Sequence, residues 1–70
     1  MLLNIEAERV RNGYTKEKFA NKLGVTFKTY DSWIKEKRSI PSKMLIEMSK
    51  ILNVDVGYLL VSKDISDKVS

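Results

Sequence analysis

Residues 15–35 read TKEKFANKLGVTFKTYDSWIK: an amphipathic segment, a glycine, and a second amphipathic segment. Phe19, Ala20 and Leu23 fall at i, i+1 and i+4, one apolar face at helical period. Thr15 precedes them as a candidate N-cap, and Glu17 puts favourable negative charge in the first turn. Gly24 stands just past Leu23, where a left-handed residue reverses the chain without a Cβ clash. Val25 then plugs the corner and Thr26 caps the next helix. In that helix Tyr30, Trp33 and Ile34 face inward, while Phe27, Lys28, Asp31, Ser32 and Lys35 point elsewhere.

The small Ala20 lets the second helix cross the first closely, and the apolar anchors at 30 and 33 clamp it down. This spacing meets the physical requirements of a helix-turn-helix, whose second helix lies in the major groove of DNA. An ordinary αα-corner in a small helical domain uses the same turn chemistry, so the flanks must decide between the two.

With 70 residues the chain makes one domain, near the lower limit for a core that holds a fold unaided. It has no cysteine and no histidine. Disulfide staples, thiolate metal sites and the commonest general base are therefore excluded. No cofactor or metal is expected. Nor is there a run of 18 apolar residues or a basic-hydrophobic leader, so the expectation is a cytoplasmic protein with no membrane partner. The net charge is +4, and it is unevenly spread. Tyr14 to Lys43 holds eight Lys or Arg against three acids, whereas the remainder holds five against six. The surplus surrounds the candidate DNA-facing unit. Lysine-rich solvated helices are common, and charge alone decides nothing.

Outward from that unit, Met1–Asn12 is predicted to be a first helix, burying Leu2, Leu3, Ile5 or Ala7, and Val10. Asn4 is an alternative N-cap that would leave Leu2 and Leu3 outside. Asn12-Gly13 ends it in a turn, and Tyr14 bridges into the second helix. Residues 35–41 form a polar, mostly basic connector stopped by Pro41, with Ser42 near the next cap. Residues 42–52 place Met44 or Leu45, Met48, Ile51 and Leu52 on one face. Asn53 suits a left-handed C-terminal position. Asp55 caps a last helix, Val56 to Leu60, whose Tyr58, Leu59 and Leu60 complete the core. The domain is expected over 1–61, with 62–70 a tail that frays or extends the last helix, since Val61, Ile65 and Val69 recur every four residues.

The stretch from Arg9 to Leu60 resembles the phage Cro and repressor-type helix-turn-helix family, also called the xenobiotic-response-element family. The matching residues are Arg9, Gly13, Thr15, Phe19-Ala20, Leu23-Gly24-Val25, Thr29-Tyr30, Trp33, Lys37, Pro41, the apolar set of helix four, and Leu52-Asn53-Val54 through Tyr58-Leu59-Leu60. The likeness covers about three-quarters of the chain. It implies an all-α, compact five-helix, lambda-repressor-like helix-turn-helix domain. The sequence departs from the family pattern in several places. Lys16 stands where glutamine is frequent. Ile34 replaces a glutamate that would pair with the arginine matching Arg9, which sends Arg9 to Glu36, Asp31, phosphate or solvent. Glu36 stands where glycine is common, which suggests a more helical exit. Tyr30 is larger than the usual aliphatic anchor, so its hydroxyl needs a partner or water.

The resemblance implies a sequence-specific transcription regulator on double-stranded DNA. The expected base contacts are Phe27, Lys28 and Ser32. Lysine donates to guanine O6 and N7, and phenylalanine packs on a thymine methyl. A rotated helix would instead make Phe27 a core residue. Phosphate contacts are expected from Thr15 and Lys16, and from Thr26, Thr29, Lys35, Lys37, Arg38 and Lys43. Thr26 and Thr29 have a second reading, as a cap and a packed side chain. Asp31 is expected to order Lys28 or Lys35, or to accept from a cytosine amino group. One recognition helix reads few base pairs, so a weak homodimer on a pseudo-palindrome is expected, joined around Val54, Val56, Tyr58 and Val61.

The favoured reading is a Cro-like repressor of a phage or mobile element, controlled by concentration and operator affinity, without a sensor domain. A chromosomal regulator, restriction-modification controller or antitoxin uses the same fold. The alternative class is a protein-interaction module, such as an anti-repressor binding a regulatory protein partner through Ile34 and Phe27. An enzyme is disfavoured, because the sequence offers no His, Cys, workable carboxylate pair or phosphate loop.

Overall fold

The computed structural model describes residues 1–62 as five helices: α1 Leu3–Arg11, α2 Lys16–Leu23, α3 Phe27–Ile34, α4 Ser42–Leu52 and α5 Val56–Leu59. No strand occurs among the described residues. The all-α, five-helix expectation is met. The positions of Lys63 to Ser70, including Ile65 and Val69, lie outside the described residues.

The turns form where the local chemistry asks for them. Thr15 takes an extended backbone and its hydroxyl accepts from the Lys18 amide at 3.1 Å. Thr26 does the same for the Thr29 amide at 3.2 Å. Between these caps Gly24 closes α2 in the left-handed region at φ +78°, its amide donating back to Asn21. The Val25 amide donates to Ala20 at 3.0 Å, which tightens the corner. Asn53 closes α4 at φ +58°, as its residue type suggests.

One core holds the helices together. Phe19, Ala20 and Leu23 from α2 meet Tyr30, Trp33 and Ile34 from α3, with Ile5, Met48, Leu52 and Leu59 closing the sides. Phe19 stacks edge-on against Tyr30 at a ring-centroid distance of 5.5 Å, the geometry that aromatic quadrupoles favour. Tyr14 lies against Phe19 from outside, also at 5.5 Å.

Several boundaries and faces differ from expectation. α1 begins at Leu3 rather than at Met1 or after an Asn4 cap, and it ends at Arg11. Leu2 is nevertheless buried, its amide donating to the Ile34 carbonyl at 3.0 Å. The buried stripe of the first segment is Leu2, Ile5 and Glu8. Val10, five residues past Ile5, lies roughly 140° around the helix and is 63% exposed. The buried Glu8 meets the Tyr58 hydroxyl, which donates to it at 3.0 Å and ties α5 to α1, and Arg11 Nη1 at 3.8 Å. α5 also stops one residue early, at Leu59, and of Tyr58, Leu59 and Leu60 it buries only Leu59. The exit of α3 is not extra helix. Lys35 ends the helix and Glu36 turns left-handed at φ +60°, taking the glycine conformation with a glutamate. Pro41 sits at the N-cap of α4, just ahead of its first turn.

Candidate nucleic-acid interface

α3 divides into two faces. Tyr30, Trp33 and Ile34 are buried, whereas Phe27 is 44% exposed and Lys28 is exposed as well. The rotated alternative for Phe27 is therefore not the one adopted. Ser32 is half-buried at the margin, and its hydroxyl donates to the Lys28 carbonyl at 3.0 Å, one turn back. Its oxygen lone pairs remain available to accept. With Ile34 in the core at 1% exposure, the apolar surface expected of it for a protein partner does not exist.

The residues expected at phosphates differ in exposure. Thr15, Thr26, Lys35, Lys37, Arg38 and Lys43 are exposed, and Lys16 and Thr29 half-buried. The Thr26 hydroxyl donates to the Thr29 hydroxyl at 3.1 Å while accepting the Thr29 amide, so both side chains serve the cap of α3. Lys16 Nζ lies 3.8 Å from Glu6 and 3.9 Å from Asp31, so it is held between two carboxylates. Asp31 also binds Lys35 Nζ at 2.9 Å, one turn along α3. Of the two lysines it was expected to order, it takes Lys35. These cations hold its carboxyl below the usual range, the Lys35 hydrogen bond foremost.

Arg9 finds a partner that sequence reasoning missed. Its guanidinium makes a forked pair with Glu6, Nε at 3.2 Å and Nη2 at 3.0 Å, and Nη1 donates to the Tyr14 carbonyl at 2.6 Å. Neither Glu36 nor Asp31 takes that role. The Tyr30 hydroxyl donates to the same Glu6 carboxylate at 2.6 Å. Glu6 thus knots α1 to α3 and, through Lys16, to the start of α2. Burial alone would raise the Glu6 pKa. Hydrogen bonds from Arg9 and Tyr30, with the charges of Arg9 and Lys16, outweigh it and hold the carboxyl below its ordinary value. Burial and the neighbouring carboxylate push the Tyr30 phenol well above its ordinary value. The signal in the sequence was the i, i+3 spacing of Glu6 and Arg9 on α1.

The four residues expected at a dimer interface lie at the α4–α5 corner and beyond. Val54 and Val56 are half-buried, and Tyr58 and Val61 exposed. Among the described residues no helix is long and apolar enough to cross a membrane, and no group of three His, Cys, Asp or Glu is placed to hold a metal ion.

A family model described as helix-turn-helix matches residues 5–59. Comparison with curated proteins and with solved structures gave no match. The matched span takes in all but the first residues of α1 and the whole of α2 to α5. The chain belongs to the Cro/repressor-type helix-turn-helix family of DNA-binding transcription regulators.

Proposed function

We propose that the protein is a Cro-like repressor of a phage or mobile element, acting in the cytoplasm as a weak homodimer on a pseudo-palindromic operator. α3 enters the major groove by its N-terminal end. The observation that carries this reading is the division of α3: three buried anchors on one side, and an exposed Phe27-Lys28 pair at its first turn. Phe27, 44% exposed at the start of a capped helix, keeps part of its ring open to a partner beside Lys28.

Phe27 packs on a thymine methyl, Lys28 donates to guanine O6 and N7, and Ser32 accepts from an adenine or cytosine amino group. Thr15, Lys16, Thr26, Thr29, Lys35, Lys37, Arg38 and Lys43 set register and orientation on phosphates. Two subunits joined around Val54, Val56, Tyr58 and Val61 present two such helices to half-sites about one helical turn apart. Sedimentation that finds only monomer at every concentration, with and without DNA, removes the dimer from this proposal.

The direct test is fluorescence anisotropy against duplexes drawn from the DNA flanking the protein's own gene, beside scrambled duplexes, over a range of salt. Tight, selective binding with a steep salt dependence supports the repressor reading. Equal, weak binding to both duplexes overturns repression of its own gene.

A further inference from the structure

Asp31 is an acid in the middle of the recognition helix of a protein whose partner is a polyanion. Its two oxygens point to different cations. Oδ2 meets Lys35 at 2.9 Å, and Oδ1 stands 3.9 Å from Lys16. Lys35 follows the last turn of α3 and Lys16 opens α2, so a single carboxylate reaches both ends of the helix-turn-helix unit. Lys16 is held on its other side by Glu6 at 3.8 Å, a carboxylate itself fixed by Arg9 and Tyr30. The Asp31 side chain keeps 22% of its surface exposed.

We propose that Asp31 is a specificity-determining residue that restrains Lys16 and Lys35, lowering affinity for DNA of any sequence while leaving base readout by α3 untouched. The inference rests on the major-groove reading above. Sequence-independent binding comes from cations that displace counterions from phosphates, and each cation so used steepens the salt dependence. A lysine already neutralised by a carboxylate contributes less to that term. On a random duplex the two lysines must leave Asp31 or share it, for no compensating base contact. On the operator the base contacts of α3 hold the protein in register, and the restrained ammonium groups meet phosphates from preset positions. The restraint therefore weakens wrong sequences more than right ones. This is discrimination by an added repulsive element, as many specific interfaces show.

The test is Asp31→Asn, which keeps size and removes charge. Anisotropy is measured against a selected operator and a scrambled duplex at several salt concentrations. The expected result is scrambled-duplex affinity tighter by roughly tenfold, operator affinity changed less, and a log-log salt slope steeper by about one to two. A second variant controls for any local change in α3. Lys35→Ala flattens the slope more in the Asp31→Asn background than in the wild type, because only there is Lys35 released. Unchanged slopes and an unchanged operator-to-scrambled ratio, with wild-type binding intact, overturn the restraint and spare the regulator reading. A preference lost at one base position identifies Asp31 as a base reader and also overturns it. A wild-type protein that binds no duplex removes both readings together.

Discussion

At the scale of single residues, the Glu6 knot makes two pH predictions of opposite sense. The Glu6 carboxyl lies below its ordinary value in the folded state, so the folded protein holds that proton less tightly than the unfolded chain. Its stabilisation is complete above the ordinary value of 4.5 and drains away as pH falls below it. The Tyr30 phenol lies above its ordinary value of 10.0, so its stabilisation is complete below that and is lost as pH rises further. Urea unfolding across pH should show both limbs in the wild type. Glu6→Gln flattens the acid one and Tyr30→Phe the alkaline one, and Tyr30→Phe also costs about 1–2 kcal/mol at neutral pH. Glu36 offers a second check, since its φ of +60° strains any residue with a Cβ. Glu36→Gly and Glu36→Ala both lose the carboxylate. The glycine variant should be the more stable by about 1 kcal/mol, the reverse of the order inside a helix.

At the scale of elements, the α2–α3 turn depends on Gly24. A Cβ built there meets nothing within 4 Å, so Gly24→Ala carries the conformational cost alone, about 1 kcal/mol by denaturant unfolding. This unit was the most legible part of the sequence, because caps, turn glycine and apolar spacing all agree within twenty residues. The ends were less so. Helix periodicity on α1 offered Val10 for burial, yet the stripe actually used runs through Glu8, an acid that accepts from Tyr58 fifty residues away in sequence. The partner of Arg9 was hidden for a related reason. The family pattern pointed across to α3, whereas this chain answers from α1 and lets Tyr30 make the link. The inward face of α3 was readable, since Tyr30, Trp33 and Ile34 share it by spacing. The exposure of Phe27 was not, because seven residues before Ile34 it lies within about 20° of it around the helix. The readout itself predicts that Lys28→Ala costs roughly 1–3 kcal/mol of operator binding and relaxes preference at one base position, measured by anisotropy on a set of single-base operator variants.

At the scale of the molecule, phosphate attraction and base readout separate in the same assay. Lys37 is exposed in the connector after α3. Lys37→Ala should weaken every duplex to a similar degree and flatten the salt slope by about one, where Lys28→Ala weakens the operator above all. The two-faced α3 has a further meaning for descent. Lys28 is exposed and Phe27 44% so, whereas Tyr30, Trp33 and Ile34 are buried. On the proposed readout, substitutions at an exposed position such as Lys28 can change the preferred operator without touching the core, so related chains can drift to new operators while keeping one scaffold. The address is rewritable; the carrier stays the same.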